Sequence, residues 1–344
     1  MIRFNNDYSE VCHERILKRL SEINGTQNCG YSEDEYCKEA ADIIRKVIGR
    51  EDADVHFLVG GTQTNLTVIS AALRPHQCAI CADTGHINVH ETGAIEATGH
   101  NVFGIKTDDG KLTADMVRNA HASHWADGAH EHIPQPKLAY ISNSTEIGTI
   151  YKKAEIIELY KACKECGMYL FLDGARLSYG LCSEESDLDI QTLAQYTDVF
   201  YIGGTKCGTM FGEAVVILND ALKEDFRYIM KQKGAMLAKG WLLGIQFTEL
   251  LKDGLYFDLA RRADKLAYKI KNAVVEAGYE LYADSPTNQQ FVIFPDTLLE
   301  KLNEKYVFEY QKRMSPTHSM IRICTSWATK EENVDMLIND IKTM

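Results

Sequence analysis

Four residues with chemical potential each stand just past an apolar run of strand composition: Lys206, Asp173, His86 and Arg176. Lys206 lies in Tyr201-Ile202-Gly203-Gly204-Thr205-Lys206-Cys207-Gly208, after the run 198–202 and before a second apolar segment, 213–218. A lysine at the mouth of a buried strand, with little bulk around it, can be desolvated. Its ammonium pKa then falls and the amine becomes a nucleophile. A solvated loop lysine is the ordinary alternative. Asp173 ends the run 168–173 and continues into Gly174-Ala175-Arg176-Leu177. A carboxylate at the carboxyl end of a buried strand lies where open α/β sheets place their ligand sites, although Asp-Gly is also common turn chemistry. An amine on one strand end and a carboxylate on another suit pyridoxal phosphate. The lysine would carry the cofactor covalently, and the aspartate would keep the pyridinium nitrogen protonated so that the ring withdraws electrons.

Two further stretches suit the same chemistry. Gly60-Gly61-Thr62-Gln63-Thr64-Asn65 follows a strand-like run and opens a helical one. Free N–H groups at a helix start, glycines allowing close approach and a hydroxyl make a phosphate cradle. A glycine turn with a threonine cap is the alternative. The stretch is neither a P-loop nor a dinucleotide fingerprint. His86, after Ala82-Asp83-Thr84-Gly85, could lie against a flat ring and exchange protons with substrate. With His90 it has the i, i+4 spacing of two metal ligands, but the zincin pattern is missing, because His90-Glu91 is followed by Thr92-Gly93-Ala94.

The elements that must hold these residues alternate along the chain. Helical spacing covers 11–23 and 34–47, the latter with Asp34 as N-cap. From residue 55 strands at 55–59, 78–82, 102–105, 137–142 and 168–173 alternate with helices at 62–73, 87–97, 112–120 and 154–166. That rhythm predicts an α/β fold, a mostly parallel sheet covered by helices on both faces. After residue 219 helices at 221–229, 236–251 and 256–277 lead to short strands at 290–294 and 321–325 and a last helix at 330–341, a smaller α+β domain. The expected division is a helical segment 1–50, a large domain 51–245 and a small domain 246–344.

The chain has 344 residues, 45% hydrophobic and 25% charged, ordinary for a globular protein. A net charge of −12 argues against general nucleic-acid or anionic-membrane binding. No apolar run reaches the roughly 18 residues of a membrane span, and no signal peptide is recognisable, so a cytoplasmic protein is expected. Ten cysteines are scattered; the pairs Cys78/Cys81 and Cys163/Cys166 are too far apart for paired zinc knuckles. Reduced thiols are expected. The histidines at 121, 124, 130 and 132 fit no familiar ligand spacing, read as a loop, and no metal is assigned.

Gly-Gly-Thr at 60–62, Asp-Thr-Gly-His at 83–86, Leu-Asp-Gly-Ala-Arg at 172–176 and Thr-Lys at 205–206 resemble the threonine aldolase group of the aromatic amino acid β-eliminating lyase family. The match runs in order from Asn6-Asp7 to Ile321-Arg322-Ile323. The resemblance implies a fold-type I pyridoxal-phosphate enzyme, a homodimer or homotetramer, cleaving a β-hydroxy-α-amino acid such as L-threonine to glycine and an aldehyde. It implies that Lys206 holds the cofactor, Asp173 its pyridine nitrogen, and Gly61 and Thr62 its phosphate, with His86 on the ring. Arg176 and Arg322, with Asn6, would bind the substrate carboxylate. A planar guanidinium pairs a carboxylate bidentately and so sets which Cα bond is weakened. The chain departs from the family's pattern at Asn6, Gly60, His90, Thr205, Cys207 and 142–146, where Ser-Asn-Ser-Thr-Glu replaces Glu-Asn-Thr-His. Whether His90 and Asn143 line the pocket stays open. Lys231, Lys233 or Lys239 are candidates to reach a neighbouring subunit's phosphate, with solvated lysines as the alternative. A β-elimination on another amino acid, or a non-catalytic cofactor-binding protein, are the competing functions.

Overall fold

The computed structural model describes residues 1–344. Its centre is a seven-stranded sheet in the spatial order Asp54–Leu58, Glu213–Ile217, Val199–Gly203, Tyr169–Asp173, Gln135–Ser142, Gln77–Ala82 and Asn101–Ile105. All neighbours pair in parallel except the two ladders of Glu213–Ile217, which are antiparallel. This is the mostly parallel sheet that the alternation predicts. The central strands Val199–Gly203 and, past Tyr169, Tyr169–Asp173 are buried because helices cover both faces. Their side chains alternate between two cores: Leu170, Leu172, Phe200 and Ile202 enter one, and Phe171, Val199 and Tyr201 enter the other. Each such apolar side chain stabilises the fold by roughly 1.5–3 kcal/mol through burial.

A second, antiparallel sheet orders Glu309–Ser315, His318–Cys324, Gln289–Pro295 and Glu280–Ala283. Its core joins Val292, Phe294, Ile321 and Ile323 to Leu266, Ile270 and Val274 of the 22-residue helix Leu255–Glu276 and to Leu337 of the last helix, Glu331–Thr343. The first residues of the chain belong with this sheet rather than with the helices that follow them. Ile2–Arg3 pairs in parallel with Tyr306–Val307, and Phe4 is fully buried in the same core. The N-terminus is thereby brought from the far end of the chain to the edge of the central sheet.

Several expected elements differ. The helix Glu35–Ile48 starts as predicted, with the Asp34 carboxylate accepting from the Cys37 amide, and stops at Gly49 in the left-handed region. Residues 87–97, expected as one helix, form only the turn His86–Val89 and a 3-10 turn Glu96–Thr98. Thr92 and Gly93 both take positive φ between them and break the pattern. The segment 121–132 is not a loop: Ala114–Ala126, capped by the Thr113 hydroxyl, carries His121 and His124, and His130–His132 is a 3-10 turn. The stretch 221–229 is split by Asp225, also at positive φ, so that the helix there is Phe226–Gln232. Glu309–Ser315, read as no strand, is one; its side chains are nearly all exposed, so it carries no apolar alternation.

Candidate active site

Because Glu213–Ile217 runs against the other strands, its first residue lies at the same sheet edge as their carboxyl ends. There a cavity of about 350 Å³ is lined by Gly60, Gly61, Thr62, Asn65, His86, Ser142, Glu146, Asp173, Arg176, Tyr201, Lys206 and Glu213, among others. It continues into an outer cavity of about 280 Å³ that shares Tyr8, His86, Glu146, Arg176 and Lys206 and adds His90, Glu309, Gln311 and Arg322.

Asp173 is the most heavily supported group. One carboxylate oxygen accepts from Tyr140 Oη at 2.6 Å and Asn65 Nδ2 at 3.0 Å. The other accepts from the Tyr201 hydroxyl and, at 2.9 Å, the Ala175 amide. Burial raises its pKa, but the His86 charge and the two tyrosine hydroxyls outweigh that and hold the carboxyl below its usual value. The carboxylate is thus a fixed negative charge on the cavity floor.

Lys206 sits in a loop whose shape is set on several sides. The Gly204 and Thr205 amides donate to the Gly212 carbonyl, Tyr179 Oη donates to the Lys206 carbonyl at 2.6 Å, and Gly208 takes φ +98°. A side chain at Gly203 or Gly204 would strike backbone at 2.5–2.7 Å, so both must be glycine for the loop to pack. Burial and the Arg176 charge lower the ammonium pKa, and Asp7, Asp173 and Glu213 oppose the shift. Glu213 is almost fully buried, accepts from Thr205 Oγ1 at 2.8 Å and the Gly204 amide at 3.0 Å, and is pushed by burial up to about 8.

At the opposite wall the helix Gly61–Ala72 starts without any side-chain cap, leaving its first turn facing the cavity. A Cβ at Gly60 would meet nothing, whereas one at Gly61 would lie 3.1 Å from Tyr201 Oη. His86 opens the short turn His86–Val89. Gly85 before it has no room for a side chain, since a Cβ would lie 2.9 Å from the Ala82 carbonyl. His86 Nδ1 lies 2.8 Å from Glu91 Oε1, a pairing that assigns the proton to Nδ1 and leaves Nε2 toward the cavity. Burial opposes charge on the ring, but the Glu91 bond and the Asp173 charge outweigh it and raise the His86 pKa. Asn65 Nδ2 bridges Glu91 Oε1, at 2.7 Å, to Asp173.

The two arginines face the cavity differently. Arg176 commits Nε and Nη2 to Asp7 at 2.8 and 3.0 Å. Arg322 donates to the Asn5 carbonyl and Gln289 Oε1, and its buried Nε has no partner. Asn6, expected beside them, caps the Tyr8 amide and the Ser9 hydroxyl at 3.0 Å and lines neither cavity; Tyr8 lines both instead, and buried Asp7 reaches the site only through Arg176. His90 lines the outer cavity, its ring 5.5 Å from His86. Asn143 does not: its Oδ1 accepts from the Tyr151 amide. Lys231 lies over the Tyr31 ring, and neither it nor Lys233 nor Lys239 lines this cavity. Tyr140, Tyr201, Asn65, Glu91, Asp7 and Glu213 were not legible as site residues. The only signal was two tyrosines within otherwise apolar strands.

Pyridoxal phosphate fits this donor set. An uncapped helix start suits a phosphate, a buried carboxylate held ionised suits a pyridinium N–H, and an amine of lowered pKa suits a covalent carbonyl link.

Comparison with known proteins agrees. A family model described as beta-eliminating lyase matches residues 14–297. A low specificity L-threonine aldolase of a Pseudomonas strain is 30% identical over 343 residues, covering 99% of this chain and 96% of its own. A solved structure of a Leishmania major threonine aldolase superposes with a TM-score of 0.97 at 45% identity, over 99% of both chains. An aspartate aminotransferase of Thermus thermophilus, 14% identical with a TM-score of 0.71 over 99% of this chain and 91% of its own, shares the fold. By the match over most of its length, the chain belongs to the beta-eliminating lyase family.

Proposed function

We propose that the protein is a pyridoxal-phosphate-dependent lyase that cleaves a β-hydroxy-α-amino acid of the L-threonine or L-allo-threonine type to glycine and an aldehyde. The observation that carries this reading is the facing of the Lys206 amine and the supported Asp173 carboxylate across one cavity that opens toward Arg322. The full-length similarity to threonine aldolases supports it.

Lys206 would hold the cofactor, Gly61 and Thr62 its phosphate, and Asp173 its ring nitrogen. Pyridoxal phosphate supplies an electron-withdrawing ring conjugated to the substrate nitrogen, which weakens the Cα bond perpendicular to it. The protein's own residues do the rest. Arg322, helped by the part of Arg176 that Asp7 leaves free, holds the substrate carboxylate and so turns Cα–Cβ into the weakened position. Asn6 supports that end through the segment it caps. His86 would lie against the ring and present Nε2, directly or through a water, to the β-hydroxyl. Its orientation is held by the Nδ1 bond to Glu91. Asp173 keeps its charge through four hydrogen bonds and so keeps a proton on the atom it faces.

We further infer a homodimer or homotetramer in the cytoplasm. The ten unpaired cysteines suit a reducing compartment, and the exposed Tyr31 and Tyr228 suit a subunit contact. No helix is long and apolar enough to cross a membrane. Product analysis tests the function: L-threonine should yield glycine and acetaldehyde in equal amounts. Release of ammonia and a 2-oxo acid instead would mean β-elimination.

A further inference from the structure

We propose that Glu146 is the residue that receives the β-hydroxyl proton as Cα–Cβ breaks. The assignment rests on the aldolase reading above and names an acceptor within that same site.

Glu146 is the second residue of a tight turn in which the Gly148 amide donates to the Thr145 carbonyl and the Thr145 and Thr149 hydroxyls bond each other at 2.7 Å. Gly148 takes φ +82°, and a Cβ there would lie 2.3 Å from Ser285 Oγ, so the turn is pressed onto the smaller sheet and cannot drift. Glu146 Oε1 is held twice, by Ser142 Oγ at 2.7 Å and by the His86 amide at 3.0 Å. Oε2 bonds no other residue and is not sealed from solvent, and Glu146 lines the inner and outer cavities alike. One oxygen therefore fixes the carboxylate while the other is free at the junction where the substrate's Cβ must pass. Burial raises the carboxyl pKa and the Ser142 bond opposes it, which brings the group toward the range in which a carboxylate both takes and returns a proton.

The neighbouring histidine is poorly suited to be the acceptor. His86 Nδ1 is committed to the Glu91 carboxylate, and that bond and the Asp173 charge favour a positive ring, which donates from Nε2 rather than accepts there. His86 and Glu146 thus divide the task. The imidazolium donates a hydrogen bond toward the substrate oxygen, and the carboxylate takes its proton. In that step the O–H bond breaks and its proton joins Glu146 Oε2. The O–H electron pair becomes the second bond of the aldehyde carbonyl, and the Cα–Cβ pair stays on Cα. A proton from solvent added to Cα then gives glycine, and Glu146 returns the proton it took to solvent, so the reaction is balanced without a co-reactant.

Glycine provides the control, because it has no β-hydroxyl. Exchange of its α-proton with deuterated solvent, followed by NMR, needs the cofactor, the lysine and the arginines but no β-hydroxyl acceptor. Glu146→Gln keeps an acceptor for Ser142 and the His86 amide. It should slow L-threonine cleavage by about 100-fold or more, while glycine exchange and cofactor affinity change by less than about threefold. Glu146→Asp should recover part of the cleavage. Cleavage by the glutamine variant near the wild-type rate, or an equal loss of both reactions, would overturn the proposal. Wild-type protein that exchanges glycine but releases none from L-threonine would overturn the aldolase reading instead.

Discussion

Glu91→Gln keeps the shape of a buried side chain and removes its charge, so it tests what holds His86. Glu91 Oε1 accepts from His86 Nδ1 at 2.8 Å and from Asn65 Nδ2 at 2.7 Å, and its side chain is wholly excluded from water. A hydrogen bond to an ionised group contributes roughly 1.5–3 kcal/mol. At about 1.4 kcal/mol per pKa unit, losing the charge should lower the His86 pKa by about one to two units. The sign follows from linkage. In the wild type the raised His86 pKa stabilises the fold below the unfolded value, and that contribution is lost as pH rises through the folded one. The variant should lack it. NMR titration of labelled histidine in the apoprotein measures the shift, and kcat for L-threonine should fall by about 10- to 100-fold as the imidazolium is depopulated. A His86 midpoint equal in variant and wild type would refute the view that Glu91 sets its charge.

Glu213 offers a second titration. Its carboxyl, raised by burial from the usual carboxylate range to about 8, stabilises the apoprotein fully below that usual range. That contribution declines as pH rises toward the raised value. Glu213→Gln should flatten the fall in Tm across this window, and an unchanged slope would remove Glu213 as its source. Arg322→Lys loses the planar fork while keeping the charge, so KM for L-threonine should rise by about tenfold or more with kcat less affected; an unchanged KM would place the substrate carboxylate elsewhere. Tyr140→Phe removes one of the hydroxyls on Asp173 and should weaken cofactor binding by roughly tenfold, read by absorbance titration of the apoprotein. Unaltered affinity would mean that Asp173 does not need that hydroxyl.

The parts of the fold that announced themselves were those in which burial and periodicity act together. Tyr169–Asp173 and Val199–Gly203 are apolar because both faces are covered, and Asp173 and the Lys206 loop stand out against them. Glu309–Ser315 was silent because an exposed edge strand has no apolar face to display. The turn at 86–99 misled because its apolar residues keep helical spacing, while Thr92 and Gly93 take a conformation that spacing does not encode. Within the site, residues that face each other from different strand ends were legible by type. Their supports were not. Asn65 and Asp7 reach their partners across 108 and 169 residues of chain, which only tertiary packing brings together, and Glu91 reaches His86 five residues away through an irregular turn that spacing does not encode. Asn6 illustrates the same limit, since a shift of one residue along an irregular segment decides whether a side chain pairs with a site arginine or with its own backbone.

The central claim is that the cavity at the sheet edge carries pyridoxal phosphate on Lys206. The most direct test is to load the purified protein with the cofactor, fix any lysine link by borohydride reduction, and map the tagged peptide by mass spectrometry. One tag per chain is expected, on Lys206, and none in Lys206→Ala, which should also lose turnover. A tag on Lys231, Lys233 or Lys239, or a protein that takes up the cofactor without a reducible link, would contradict it.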